Sequence, residues 1–147
     1  GSITMGSDIP AGFRPYSEPS PFIDRVGPLY QRQEGQELVF GLRVIAHHCN
    51  RRGFAHGGVI MSLADIALGK TGEWTGGQAV SLLTASITVD LLGIANLNDW
   101  LVAHTDFFTI GRQVAFANCY VRVEGRPIAR ASAVFNVRRH ETPDTPA

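Results

Sequence analysis

Residues 57–69 read Gly-Gly-Val-Ile-Met-Ser-Leu-Ala-Asp-Ile-Ala-Leu-Gly, and this stretch decides the fold. Its residues are mostly good helix formers and are apolar on nearly every side, which predicts a helix buried on most of its surface. Gly72 and the glycine pair at residues 76–77 are signals that end such a helix. The rest of the chain must therefore supply the cover for one long apolar helix.

The segments on either side of this helix have the composition of strands. Residues 37–47 alternate apolar and polar side chains, which is strand periodicity. After the helix, short turn-like stretches separate four β-rich runs, which predicts antiparallel hairpins; the runs are residues 79–91, 100–110, 114–123 and 128–137. This order predicts an α+β domain in which an antiparallel sheet of about five strands wraps around one central helix.

Both ends of the chain are expected to be flexible. Residues 1–21 are rich in Pro, Gly and Ser, and residues 1–4 resemble the remains of a tag ahead of Met5. Residues 22–32 could form a short amphipathic helix, although Pro28 would break it. We therefore expect one domain over residues 22–140 and a flexible tail over residues 141–147.

Composition and charge exclude several classes of function. Lys+Arg and Asp+Glu are both 13, so the formal net charge is zero and the basic stripe of a nucleic-acid-binding protein is missing. No apolar run reaches the ~20 residues that cross a membrane. Cys49 and Cys119 lack the number and spacing of a disulfide framework or a zinc site, so we expect free thiols in a reducing, cytoplasmic compartment.

Asp65 is the residue of the predicted helix that needs an explanation. Burying an unpaired carboxylate costs free energy, so this side chain needs partners or a function. One interpretation is structural, with hydroxyl groups such as those of Ser62 or Thr84 bonded to Asp65 to fix packing. The other interpretation is a general base that activates water, because carboxylates in unusual environments cluster at active sites.

The start of the helix carries a second signal, His56-Gly57-Gly58. Paired glycines leave the first helical N–H groups sterically open, and these donors have no intrahelical partner and lie at the positive end of the helix dipole. They could hold an oxyanion that develops during a reaction. Alternatively, the glycines only permit a tight turn into the helix.

The spacing of these two signals predicts a site shared between subunits. Gly58 and Asp65 are seven residues apart, which separates their backbones by ~10 Å in a helix. A carbonyl and its attacking water need donor and base each within ~3 Å. Two antiparallel helices from different subunits could bring one chain's Gly58 near the other's Asp65, so we expect a two-fold symmetric homodimer with two equivalent sites.

Together these residues resemble a known family. Residues 50–58 read Asn-Arg-Arg-Gly-Phe-Ala-His-Gly-Gly and are followed by Leu63-Ala64-Asp65, by Thr84 before an alternating strand, and by a Gly111-Arg112 turn. This combination resembles the phenylacetic-acid-pathway type of hotdog-fold acyl-CoA thioesterase over about residues 38–137. The chain departs from the family at residues 91–95, where Leu-Leu-Gly-Ile-Ala replaces a Phe-Leu-Arg-Pro-like stretch.

The resemblance implies roles for individual residues. Asp65 would be the base or nucleophile, and the Gly58 N–H, with Gly57, would polarise the thioester carbonyl. Asn50 and His56 would shape the site, and Thr84 would orient the water. The family forms homodimers that often pair into tetramers, and it uses no metal and no cofactor beyond the CoA of its substrate.

The resemblance implies hydrolysis of an acyl-CoA or aryl-acyl-CoA thioester to the free acid and CoA. Arg112, Arg138 and Arg139 could bind the CoA phosphates, or they could be ordinary surface charges. The alternatives are a module that binds acyl-CoA without turnover and an enoyl-CoA hydratase. His104 and Asp106 lie on one strand face and could be the acid–base pair of a hydratase, although an exposed polar strand face also explains them.

The remaining polar and aromatic side chains in this part of the sequence have structural explanations. His47 and His48 are expected at a polar strand end, and Glu73 is expected to be a solvated carboxylate. Trp74, Phe107 and Phe108 could line an acyl pocket, but core packing also accounts for them.

Overall fold

The computed structural model describes residues 8–35, 37–75 and 79–140. In these ranges the helices are α1 (Pro21–Val26) and α2 (Gly57–Thr75), and a 3₁₀ turn spans Ala46–His48. The strands are β1 (Arg14–Pro15), β2 (Tyr30–Glu34), β3 (Glu37–Arg43), β4 (Val80–Leu91), β5 (Trp100–Ile110), β6 (Val114–Val123) and β7 (Arg126–Arg139). The expectations for residues 1–7, for the glycine pair at residues 76–77 and for residues 141–147 lie outside the described residues.

The strands form one antiparallel sheet in the order β1-β2-β3-β5-β6-β7-β4 within the described residues. The predicted hairpins β5–β6 and β6–β7 are present. The prediction that β4 is part of this run of hairpins is wrong, because β5 pairs with β3 and β4 pairs with β7 at the opposite edge. The chain thus crosses the sheet through α2, and the sheet has more strands than the five expected because β1 and β2 extend it.

The sheet packs on one side of α2. The strands that face the helix carry small side chains, which lets the sheet approach closely; buried alanines at this interface are Ala103, Ala115, Ala117, Ala129, Ala131 and Ala133. As expected, most of α2 is buried or half-buried, and one face opposite the sheet is left uncovered within the described residues. Met61 is 43% exposed there, and Asp65 and Gly69 are half-buried.

The segment before β3 differs from its prediction. Helix α1 begins at Pro21 with the Ser20 hydroxyl accepting a hydrogen bond from the Ile23 N–H (3.2 Å). It ends ahead of Pro28, so the second half of the predicted helix over residues 22–32 is wrong, and Tyr30–Glu34 instead pairs with β3. Tyr16 is buried against Phe40, so the ordered domain begins before residue 22.

Two further expectations concern the thiols and the membrane. Both cysteines are free, as expected, and burial together with the charge of Asp106 raises the pKa of the Cys119 thiol to about 12. Burial and the raised pKa both disfavour the reactive thiolate form of Cys119. None of the described helices combines the length and the apolar character needed to cross a membrane.

Candidate active site

The carboxylate of Asp65 lies where the uncovered face of α2 meets the edge strand β4. Its Oδ1 accepts a hydrogen bond from the Thr84 hydroxyl at 2.8 Å. Thr84 is exposed and Asp65 is half-buried, so water reaches the pair. Ser62, the other hydroxyl considered from the sequence, instead donates to the Gly58 carbonyl (2.8 Å). The structure therefore brings together two of the predicted site residues, from two different elements.

The first turn of α2 is capped by the side chain of His56. The Gly58 N–H donates to His56 Nδ1 (2.8 Å), and the Val59 N–H donates to the His56 carbonyl (3.0 Å). The Gly57 N–H has no acceptor among the described residues. Because Nδ1 accepts this hydrogen bond, a neutral His56 ring carries its proton on Nε2. The open donors at this helix start are thus the Gly57 N–H and His56 Nε2–H.

Asn50 shapes the loop that leads into the helix. Its Oδ1 accepts hydrogen bonds from the backbone N–H groups of Arg52 (2.9 Å) and Phe54 (3.3 Å). Gly53 has a φ of +89°, a backbone conformation that residues other than glycine rarely adopt. This turn brings Ala55 back to pair with Cys49 and sets the position of His56.

One chain does not bring the two halves of the predicted site together. Gly58 and Asp65 are on the same continuous helix, so their backbones are ~10 Å apart along its axis. The face of α2 between them holds Met61, whose side chain projects into solvent. A base and an oxyanion donor acting on one carbonyl would therefore have to come from two chains.

A cavity of about 260 Å³ opens beside the first turn of α2. Its walls come from α1, the 3₁₀ turn and α2, and include Phe22, Arg25, Val26, His47, His48, His56 and Gly58. The sequence pattern predicts a longer helix over residues 22–32 and does not indicate that this segment lines a cavity. Only the tertiary structure brings α1 next to residue 58.

His48 is a buried structural residue rather than part of a polar strand end. It is 3% exposed, its Nδ1 accepts from the Ile45 N–H (3.0 Å), and its Nε2–H donates to the Val26 carbonyl (2.5 Å). Burial lowers the pKa of His48 more than its backbone hydrogen bonds raise it. The neutral ring therefore links the end of α1 to the loop before α2.

We expect His48 to make the fold sensitive to acid. Since the folded-state pKa is below the unfolded value of about 6.5, stability is full above that value and is lost as pH falls below it. Urea unfolding between pH 7.5 and pH 5 should show a smaller loss of unfolding free energy in His48→Gln than in the wild type. Equal slopes in His48→Gln and the wild type would contradict the assignment.

The three candidate phosphate-binding arginines lie at the other end of the sheet. Arg112 is in the β5–β6 turn, Arg138 and Arg139 end β7, and all three are exposed. Arg139 pairs with Val80 at the start of β4, and the nearby Leu82 N–H donates to Glu73 Oε2 near the end of α2 (3.0 Å). Within one chain these arginines are far from the start of α2, and their role stays a prediction.

Most of the other side chains considered from the sequence link elements of the fold or pack against the core. Glu73 is half-buried and links α2 to β4, so it is not simply solvated. Trp74 and Phe108 are partly buried and pack against the core. The side chain of Phe107 lies outside the described part of the chain.

Comparison with known proteins decides the family. The family model described as the thioesterase superfamily matches residues 52–137. The chain belongs to the thioesterase superfamily. The matched region contains α2, Asp65 and Thr84, and it leaves out α1 and Asn50. This thioesterase is therefore a thioester hydrolase by family, as the residues of its helix start and Asp65 had suggested.

Individual relatives agree with this family. The thioesterase is 37% identical over 131 residues to PA0474 of Pseudomonas aeruginosa, a proposed esterase, covering 88% of this chain and 98% of that protein. The phenylacetic acid degradation protein PaaI of Thermus thermophilus, solved as a mutant, has a TM-score of 0.69 at 25% identity, covering 80% and 99% of the two chains. The predicted hotdog fold and the PaaI-like resemblance are confirmed.

A third relative shares the fold. The protein smu.793 of Streptococcus mutans, solved bound to acetyl-CoA, has a TM-score of 0.68 at 22% identity, covering 76% of this thioesterase and 90% of that chain. The hotdog architecture here is thus shared with proteins whose sequences have diverged widely.

Proposed function

We propose that this thioesterase hydrolyses acyl-CoA thioesters, aryl-acyl-CoA among them, with Asp65 as the general base or nucleophile. The observation that carries the proposal is the Thr84–Asp65 hydrogen bond on the uncovered face of α2. The Asp65 carboxylate is carried by a rigid helix, is oriented by a hydroxyl group and is accessible to solvent. It can therefore act on water at one fixed position in every turnover.

In the direct route, water attacks the thioester carbonyl while Asp65 accepts a proton from that water. Thr84 donates to Oδ1, which leaves the other carboxylate oxygen for the water. The C–S bond of the tetrahedral intermediate then breaks, and the leaving thiolate takes up a proton to give CoA and the free acid. In the nucleophilic route, Asp65 itself attacks the carbonyl carbon, the C–S bond breaks, and the leaving CoA thiolate takes up a proton. Water then hydrolyses the resulting mixed anhydride, which releases the free acid and restores the Asp65 carboxylate.

The start of α2 supplies the oxyanion donor, and the geometry favours Gly57 for this role. The Gly58 N–H, assigned to it from the sequence, is already bonded to His56 Nδ1. The Gly57 N–H is open among the described residues, and it lies at the positive end of a helix of 19 residues. His56 fixes the first turn by accepting the hydrogen bond from the Gly58 N–H, and its Nε2–H is a second candidate donor. Asn50 acts through the loop that positions His56.

A homodimer completes the site. The outer edge of β4 has no strand partner among the described residues, and α2 runs antiparallel to β4, since Gly57 lies beside Leu91 and Gly72 beside Leu82. Two β4 edges paired across a two-fold axis would place the two α2 helices side by side and antiparallel. With the axis near the exposed Met61, each Asp65 lies opposite the other chain's helix start. A tetramer stays a prediction.

The CoA portion of the substrate would lie between the two chains. That smu.793 was solved with acetyl-CoA supports this class of ligand for the shared fold. The antiparallel arrangement also moves the arginines at the end of one chain's sheet toward the helix start of the other chain. Arg112, Arg138 and Arg139 are thereby candidates for the phosphates of a CoA held at the composite site.

The decisive experiment measures release of free thiol from a panel of acetyl-, hexanoyl-, benzoyl- and phenylacetyl-CoA. We expect saturable turnover with at least one of these thioesters. Saturable binding without any turnover would instead show a non-catalytic acyl-CoA module. No thiol release together with hydration of an enoyl-CoA would show a hydratase.

The structure gives no support to the hydratase alternative. His104 Nδ1 lies 3.0 Å from Asp106 Oδ1, and its Nε2 lies 2.8 Å from Glu37 Oε2. Burial lowers the pKa of His104, but the hydrogen bonds and charges of Asp106 and Glu37 raise it overall. Since its neighbours Ala103 and Thr105 are buried, His104 faces away from α2 and from Asp65. The cluster is an ionic surface contact on the other face of the sheet.

A further inference from the structure

Gly69 lies on the same face of α2 as Asp65, one turn further along the helix. The rise between the two residues is about 6 Å. Gly69 is half-buried, and the ring of Phe135 from β7 lies below it. A group that extends about 6 Å from Asp65 toward the end of α2 therefore passes Gly69.

The described part of the chain does not require a glycine at this position. Gly69 is not among the residues with positive φ, and it sits inside a helix, where glycine is less favourable than alanine. A β-carbon at Gly69 would meet Phe135 Cε1 at 3.7 Å, an ordinary contact. Gly72 is different, because a β-carbon there would lie 2.2 Å from the Phe108 ring. Packing thus explains Gly72 and leaves Gly69 unexplained.

The partner helix does not account for Gly69 either. With a two-fold axis near Met61, Gly69 would lie opposite a point that precedes the first residue of the other α2 helix. In this arrangement the half-buried surface at Gly69 therefore extends past the end of the contact between the two helices. It adjoins apolar side chains of this chain, with Ile66 on α2 and Phe135 below.

We propose that Gly69 is a specificity-determining residue whose missing side chain makes room for a bulky, apolar acyl group. This inference rests on the proposed function, since it is the thioester carbonyl at Asp65 that directs the acyl group along the helix. Acyl groups with a ring or a branch close to the carbonyl need this room, whereas an acetyl group has no atom that reaches Gly69.

The test compares wild type with Gly69→Ala on phenylacetyl-CoA and acetyl-CoA. We expect the ratio of kcat/KM for phenylacetyl-CoA to that for acetyl-CoA to fall at least about tenfold, as for one added methyl group in a tight pocket. The melting temperature should rise by about 3 °C, because alanine favours the helix. Thr75→Ala, at the exposed end of the same helix, is the matched control and should keep the wild-type ratio.

A lower ratio of kcat/KM for phenylacetyl-CoA to that for acetyl-CoA, together with a higher melting temperature, would support the proposal. A purely structural glycine predicts neither change. An unchanged ratio would overturn it, and so would an equal loss on both substrates. Dissociation into monomers on size-exclusion chromatography would show that Gly69 serves pairing of the chains and would also overturn it. If the wild type releases thiol from no thioester, the proposed function fails first, and Gly69 then has no acyl group to select.

Discussion

Asp65→Asn should lower thioester turnover by about 10²–10⁴-fold, the range attributed to a positioned general base. The amide cannot take a proton from water, and it is a poor nucleophile. Its oxygen can still accept the hydrogen bond that Thr84 now donates to Oδ1, so the local structure should persist. The measurement is kcat on the best substrate of the panel, with the melting temperature and oligomeric state recorded alongside.

Asp90→Asn is the matched control for this experiment. Asp90 is another carboxylate at an exposed position of β4, and it is paired with Arg130 (2.8 Å) rather than with a hydroxyl. It should retain wild-type kcat. If Asp65→Asn were folded, dimeric and as active as the wild type, the chemistry proposed for this carboxylate would be wrong.

The hydroxyl of Thr84 can be tested in the same assay. Thr84→Ser keeps the donor to Asp65, whereas Thr84→Val removes it with little change of volume. The first should stay close to wild type and the second should lose activity. A single turnover in heavy-oxygen water then separates the two routes. Direct attack by water labels all of the first product, whereas attack by Asp65 allows unlabelled acid to form.

Mixing two inactive variants should restore activity if the site is shared between chains. Gly57→Pro removes the open N–H at the start of α2, and proline is tolerated at the first position of a helix. Loss of one oxyanion donor costs about 10²–10³-fold. In a mixed dimer of Gly57→Pro and Asp65→Asn, one of the two sites has both defects and the other has none.

Random re-pairing of equal amounts should therefore give about a quarter of the wild-type specific activity, since about half of the dimers are mixed and each has one intact site. The two variants are unfolded together and refolded together, then assayed against each variant refolded alone. No recovery in the mixture, with dimers present, would mean that donor and base act within one chain.

Gly57→Ala is the control for the proline variant. It introduces the same β-carbon, which would lie 2.9 Å from the flexible Leu91 Cδ1, but it keeps the N–H. It should stay much more active than Gly57→Pro. If both variants lost activity equally, the steric effect at Leu91 would explain the loss and the oxyanion role of Gly57 would be wrong.

The sequence by itself determined the central helix and the long strands, and it suggested the candidate site. An apolar run with a single carboxylate predicted α2 and Asp65, and β5 and β6 have the predicted bounds. These features follow from local composition and periodicity, which act over a few residues. The seven-residue spacing from Gly58 to Asp65 also follows from helix geometry alone, and it supplied the argument for two chains.

Tertiary structure alone decided which strand pairs with β4 and where α1 lies. It also decided which backbone N–H groups at the start of α2 are already hydrogen-bonded. Strand periodicity does not say which strands pair, so β4 could not be assigned to the edge beside β7. Hydrogen bonds between side chains and backbone also depend on positions in space. For that reason only the folded chain shows that His56 occupies the Gly58 N–H and leaves Gly57 open, and that only one side of α2 is covered within the described residues.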